Sequence, residues 1–283
     1  MKIPVLVLIF CSSLFWLSCN IVNPAEKIPT YIQIDSFQFV PTNNTGSSSH
    51  KITSAWVYFD NQTVGVFDLP ATVPILAESK GVVLVIPGVT FSGINNIQTQ
   101  YPYYLSDTLT IVPGVGKVVN FIPETKYLAD TILNSVIVDF ETGVGFNRVI
   151  GDTEIVVVED PNLVFEGSKS GYIYLDNKSY SENIMLQGFS DPRAESFLEM
   201  DYKCSLPFEV GLQTTNATGQ LFTQYIYGFK PRTTWNKVYM GFNEFVSAFP
   251  NKQYRVVIRV GSLGGDPVTG FVSLDNIKVF TKR

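Results

Sequence analysis

Apolar residues along this chain alternate over short stretches and seldom recur at helical spacing. Between Ile52 and Asp60, Trp56 and Tyr58 fall on one face of an extended chain, and Val57 and Phe59 on the other. Val82 to Ile86 is a continuous apolar run, as expected of a central strand. Tyr31–Phe39, Val64–Phe67, Thr108–Val112 and Val118–Pro123 predict further strands, and Asn61-Gln62 predicts the turn of a hairpin. Pro41–His50 is polar and predicts an exposed loop, and Pro87-Gly88 predicts a turn. Leu69–Pro74 contains two prolines and must be extended. No stretch holds a 3.6-residue period over three turns, so the pattern predicts an all-β chain of sandwich type.

The N-terminus departs from this pattern. Lys2 precedes an apolar run from Ile3 to Leu17, and Ser18 precedes Cys19. That run suits a secretory signal and is too short to cross a bilayer core of roughly 30 Å. The segment resembles a bacterial lipoprotein signal, with Trp16 where that pattern prefers Leu. The resemblance implies cleavage after residue 18 and acylation of Cys19, giving an anchor in membrane lipid. Residues 19–29 read as a tether. No Asp follows Cys19 and no acidic cluster follows it, so the expected site is the outer membrane, on its periplasmic face rather than the cell surface.

Composition narrows the function. Hydrophobic residues make up 45% of the chain, in the globular range. Lys2 is the only charged residue of the signal, so its removal takes the net charge from −5 to −6. With no Lys/Arg cluster, a nucleic-acid partner is not expected. Once Cys11 is cut off and Cys19 acylated, Cys204 stands alone, and it is expected to pack as a small hydrophobe.

The domains are expected at 28–127 and 136–283, joined by a linker at 128–135. In the first, Trp56-Val57-Tyr58-Phe59-Asp60, Gly65-Val66-Phe67-Asp68-Leu69-Pro70-Ala71 and Tyr101-Pro102 resemble Bacteroidota outer-membrane lipoproteins of uncharacterised function. The implied fold is an Ig-like or carboxypeptidase-regulatory-like β-sandwich. In the second, Asp139-Phe140-Glu141, Gly167-Ser168-Lys169-Ser170 and Leu274-Asp275-Asn276-Ile277 resemble galactose-binding-like and carbohydrate-binding jelly-roll modules. That resemblance implies a binding module without catalysis. It also implies a candidate structural calcium held by Asp139, Glu141 and Asp275; no other cofactor is expected.

Rings stack against the C–H faces of sugars, so Tyr172, Tyr174, Tyr225, Tyr227 and Trp235 are candidates for a glycan platform. Core packing is the competing use of such rings in a sandwich. The single histidine, His50, excludes a multi-histidine zinc site, and no triad partners accompany it. Glu199-Met200-Asp201-Tyr202-Lys203-Cys204 resembles the Glu-x-Asp-x-x-Glu strand of concanavalin-like glucanases, but Cys204 stands where the acid/base Glu belongs. A solvated outer face accounts for Glu199 and Asp201, which leaves glycoside hydrolysis a remote alternative. Thr108 and Thr131 fit the Asp-Thr-apolar O-glycosylation sequon of Bacteroidota. The leading expectation is a lipid-anchored protein that binds a glycan or a protein partner. The alternative is an accessory subunit of an outer-membrane protein complex with no soluble ligand.

Overall fold

The computed structural model describes residues 26–41, 46–91, 97–129, 135–190, 195–250, 252–262 and 264–281. The signal, Cys11, Cys19, Thr131 and most of the 128–135 linker lie outside the described residues. The chain forms two β-sandwiches in series, almost entirely from strands.

The first sandwich comprises β1 (Thr30–Ile34), β2 (Gln38–Phe39), β3 (Ile52–Phe59), β4 (Gln62–Asp68), β5 (Ala71–Ile75), β6 (Gly81–Thr90), β7 (Gln98–Gln100), β8 (Asp107–Ile111), β9 (Val118–Asn120) and β10 (Glu124–Thr125). One sheet runs β4-β3-β6-β7, with β8 also on β6; the other runs β5-β1-β9. Ile32, Ile34, Val57, Val73, Val83 and Val85 fill the space between them. The hairpin β3–β4 turns on Asp60 and Asn61, both at positive φ (46° and 66°). These are residue types that tolerate the left-handed region a type I′ turn requires.

Two expected boundaries move. Tyr31–Phe39 is not one strand but β1 and β2, which pair in parallel with β9 and β10. Pro123 lies between those two partners: its carbonyl accepts from the Gln38 N–H (2.9 Å), but it has no N–H to donate to the ladder. Conversely, Pro87-Gly88 does not turn, and β6 continues to Thr90. Pro87 is tolerated there because it falls where the neighbour changes, after β8 has ended its pairing at Val85 and before β7 begins at Gly88.

The second sandwich is a jelly roll of β11 (Ser135–Val138), β12 (Phe146–Gly151), β13 (Val156–Val158), β14 (Ser170–Lys178), β15 (Tyr180–Met185), β16 (Phe197–Cys204), β17 (Phe208–Thr215), β18 (Leu221–Phe229), β19 (Arg232–Gly241), the short helix α1 (Asn243–Ala248), β20 (Arg255–Gly261) and β21 (Val268–Phe280). A six-stranded sheet runs β13-β14-β21-β16-β19 with β11 beside β21, and a five-stranded sheet runs β12-β15-β20-β17-β18. Leu198, Met200, Val272 and Leu274 from the first interleave with Val210, Leu212, Val256 and Ile258 from the second. Cys204 is buried in this core, as a small hydrophobe would be.

The outer face of the six-stranded sheet carries the join between the sandwiches. Alternation turns Glu199, Asp201, Lys237, Tyr239 and Lys278 away from the jelly-roll core, yet none exceeds 5% exposure because the first sandwich lies over them. Glu199 and Asp201 therefore do not form a solvated face. Lys237 Nζ lies 3.0 Å from Glu199 and 3.7 Å from Asp201. Tyr127 donates to Glu199 (2.7 Å), and Ser49 donates to Asp201 (2.9 Å). Lys278 Nζ donates to the Ser47 carbonyl (2.8 Å) and sits over the Tyr127 ring. The Lys51 backbone N–H donates to Tyr239 Oη (2.8 Å). The described part of the polar 41–50 loop is mostly exposed, as expected, but Ser47 is buried at the join and Ser49 is half-buried there. Beside these charges Tyr101, Tyr103, Tyr104, Tyr127, Phe197, Tyr239 and Phe280 form a separate aromatic cluster.

Burial opposes charge on Lys237, but Glu199 and Asp201 outweigh it and raise its pKa above the lysine range. For Lys278 burial wins, with Lys237 adding to it, and the pKa is pushed down to about 8. The unfolded chain keeps this lysine near about 10.4. Between these values the unfolded state binds more protons, so folding stability rises with pH in that window. Unfolding free energies from urea titrations at pH 7.5 and 9.5 should differ by on the order of 2 kcal/mol from this group. Lys278→Met should remove that increment; an identical pH slope in the variant would refute the assignment.

Candidate functional site

The five-stranded sheet leaves its outer face free of the first sandwich. On β15, Ser181, Asn183 and Met185 point inward, so Tyr180, Glu182 and Ile184 point out. On β20, Val256, Ile258 and Val260 face the core, which sends Arg255, Val257 and Arg259 outward. On β17 the outward set is Glu209, Gly211 and Gln213. Tyr225 on β18 lies opposite Gly211, at a β-bulge that sets two residues of one strand against one of the other.

These side chains form one connected network. Tyr180 and Tyr225 both donate to Glu182 Oε2, at 2.5 and 2.6 Å. The Arg259 guanidinium carbon lies 3.5 Å from the centroid of the Tyr225 ring, a cation–π contact. Arg259 Nε donates to Glu209 Oε2 at 2.7 Å, and Nη2 bonds the same oxygen. Burial, then the Glu182 hydrogen bond, raises the Tyr225 hydroxyl well above the tyrosine range; the same causes raise Tyr180. Both phenols therefore remain donors at neutral pH. Burial opposes charge on Arg259, but the Glu209 hydrogen bond and charge outweigh it. A partly exposed ring is thus fixed at its hydroxyl by a carboxylate and on its face by a guanidinium. Gly228 pairs with Glu209 on the same face, and the space above it is open.

The other expected platform residues scatter. Tyr227 packs against the jelly-roll core and donates to the Gly241 carbonyl; burial pushes its pKa up to about 12. Tyr172 and Tyr174 stand on the opposite, six-stranded sheet. Trp235 sits on β19 with its ring 5.2 Å from that of Phe165. Arg259, Glu182, Tyr180 and Glu209 were not singled out from sequence. The available signal was outward alternation beside Tyr225, and it was visible only in the Arg-Val-Val-Ile-Arg pattern of 255–259.

Asp139, Glu141 and Asp275 do come together, around a cavity of about 190 Å³ that Glu166 also lines. Each carboxylate is occupied by donors of its own chain. Glu141 accepts from Ser168 N (2.8 Å), Ser168 Oγ (2.6 Å) and Lys169 N (2.9 Å). Asp275 accepts from Ser170 Oγ (2.6 Å) and from the Asn276 N–H (2.7 Å). Burial pushes Asp275 up to about 6, against the Ser170 hydrogen bond. Among the described residues no three acidic, histidine or cysteine side chains are grouped as a metal ion would require. Thr108 is exposed on β8, a strand that among the described residues pairs only with β6.

No protein-family model matches the chain, and no curated protein matches it. Several solved structures do. A carbohydrate-binding module, TmCBM61 in complex with β-1,4-galactotriose, is 13% identical, covering 55% of this chain and 98% of its own, at a TM-score of 0.36. The family 11 carbohydrate-binding module of the cellulase Lic26A-Cel5E of Clostridium thermocellum is 11% identical over 53% of this chain and 96% of its own (TM-score 0.37). The CBM22-1 xylan-binding domain of Paenibacillus barcinonensis Xyn10C is 12% identical over 52% and 94% (TM-score 0.38). At these scores the likenesses assign neither ligand nor activity.

The position of Tyr225 depends on the lack of a side chain at Gly211. A Cβ there would collide with the Gln224 carbonyl and lie 2.8 Å from Tyr225 Cα. Gly211→Ala is expected to cost about 1–3 kcal/mol, as overpacking does. A melting temperature equal to that of the wild type would show that the strands need no such close approach.

Proposed function

We propose that this protein is a non-catalytic, lipid-anchored envelope protein that binds glycan on the outer face of the five-stranded sheet. The observation that carries the reading is the Tyr180–Glu182–Tyr225–Arg259–Glu209 network beside the open floor at Gly228. A hydroxyl-rich ligand needs donors and acceptors at fixed positions and an apolar ring to cover its C–H face. This face supplies both from strands, with side chains already immobilised, which lowers the ordering cost of binding. Arg255, Arg259, Glu182 and Glu209 balance in charge, which suits a neutral glycan. The hydrolase alternative loses its residues, because Glu199 and Asp201 are sealed under the first sandwich with Lys237. The lipid anchor rests on Ser18-Cys19 in the sequence.

A second reading, an accessory subunit of an outer-membrane complex, is favoured by one observation. The outer face of the β4-β3-β6-β7 sheet presents Trp56, Tyr58, Val66, Val82, Leu84 and Ile86 at least partly to solvent. Co-purification with a membrane barrel, lost on Trp56→Ala, would support that reading.

Two measurements test the main proposal. On a glycan array the purified protein should bind neutral polysaccharides, and Tyr225→Ala should weaken binding by about tenfold or more, equivalent to about 1.4 kcal/mol. A variant that binds as well as the wild type would remove this face from consideration. In cells, a palmitate analogue should label the protein, and Cys19→Ala should abolish the label; label persisting in the variant would refute the anchor.

A further inference from the structure

We propose a second, independent glycan-contact site on the opposite side of the jelly roll, built by Tyr172, Tyr174 and Phe271. Tyr172 and Tyr174 are alternate residues of β14, both turned outward, with ring planes 9° apart and centroids separated by 6.2 Å. Phe271 of β21 pairs with Tyr174 across the sheet, and its ring lies 24° from the plane of Tyr172 at 5.7 Å. Three rings of similar orientation thus line one end of the six-stranded sheet, and Tyr174 is 44% exposed.

The rest of that outer face is already covered. The loop between β13 and β14 crosses it: Lys203 donates to the Asn162 carbonyl, Phe165 packs on Trp235, and the Glu166 N–H donates to Asp275. Beyond the loop lies the first sandwich. The ring strip is an aromatic part of what the loop and the first sandwich leave uncovered.

Size and chemistry select the occupant. A large aromatic side chain presents about 150–250 Å² when fully exposed, so these partly exposed rings offer on the order of 200 Å². A stable protein interface needs about 800 Å² from each partner, so the strip is too small for a second copy or a folded protein. It matches the C–H faces of a few hexose rings. Polar groups flank it for the sugar hydroxyls: exposed Asp176 on the same strand face, and Ser273 and Lys203 in register beside Tyr172. Ser273 Oγ is buried and, among the described residues, has no hydrogen-bond partner. Two sites on opposite sheets would make the protein bivalent, able to bridge two glycan chains.

Affinity electrophoresis of the purified full chain, in gels containing β-1,4-galactan, xylan or mixed-linkage β-1,3-1,4-glucan, separates the two faces. Tyr225→Ala should retain part of the retardation in at least one gel, and adding Tyr174→Ala should reduce what remains by about tenfold. Tyr174→Ala alters an exposed ring, so its melting temperature should match the wild type. If Tyr225→Ala alone abolishes all retardation while Tyr174→Ala changes nothing, this site is refuted and the five-stranded face stands. If Tyr174→Ala alone abolishes it, the second site stands and the first falls. No retardation of the wild type in any gel, or concentration-dependent dimerisation lost in Tyr174→Ala, would overturn the inference.

Discussion

The architecture depends on keeping a set of charges out of water between two sandwiches. Glu199, Asp201, Lys237 and Lys278 project from the jelly roll, and their desolvation is tolerable only while Lys237 pairs with the two carboxylates and Tyr127, Ser49 and Ser47 of the preceding region bond Glu199, Asp201 and Lys278. Breaking a buried pair by removing one partner typically costs about 3–5 kcal/mol. The aromatic cluster around Tyr101, Tyr104 and Tyr239 adds apolar burial, but the charged groups set the register. Each needs a partner of specific geometry, whereas rings tolerate sliding.

That join decides which surfaces remain. A jelly roll has two outer sheet faces, and here one is largely consumed. The five-stranded face is free of the first sandwich and carries a network whose side chains are held by neighbours: Tyr180 and Glu182 are buried beneath, and Tyr225, Glu209 and Arg259 are partly exposed. The six-stranded face keeps only the end bearing Tyr172, Tyr174 and Phe271. Both open regions belong to rigid strands, so a ligand would meet side chains already in place.

Much of the fold was legible in the sequence, because period-two alternation and turn residues are local signals. The β3–β4 hairpin, though with its turn one residue earlier than the expected Asn61-Gln62, and the central β6 strand follow from them directly. The limits of β1, β2 and β6 did not, since they depend on which neighbour each strand meets. The most instructive case is Glu199 and Asp201. Alternation correctly turned them away from the jelly-roll core, but no pattern within β16 says that another sandwich covers them. The same limit applies at the candidate site. Tyr225 stood out as an aromatic, whereas Glu182, Glu209 and Arg259 join it only because strands distant in sequence lie side by side. Asp139, Glu141 and Asp275 line one cavity, but the motifs do not show that Ser168, Lys169 and Ser170 of the 166–170 turn and the Asn276 N–H already donate to Glu141 and Asp275.

The interleaved charges have a consequence for how such a chain can evolve. β-Sandwich domains are commonly pictured as beads that can be exchanged along a string. Here the jelly roll's outer face is written in charges that only its neighbour neutralises, so neither half is a portable part. A recombination event that swapped in a different N-terminal sandwich would expose or strand Lys278 and Glu199, and it would be selected against unless both sides of the seam changed together. The two halves are bound to one evolutionary history.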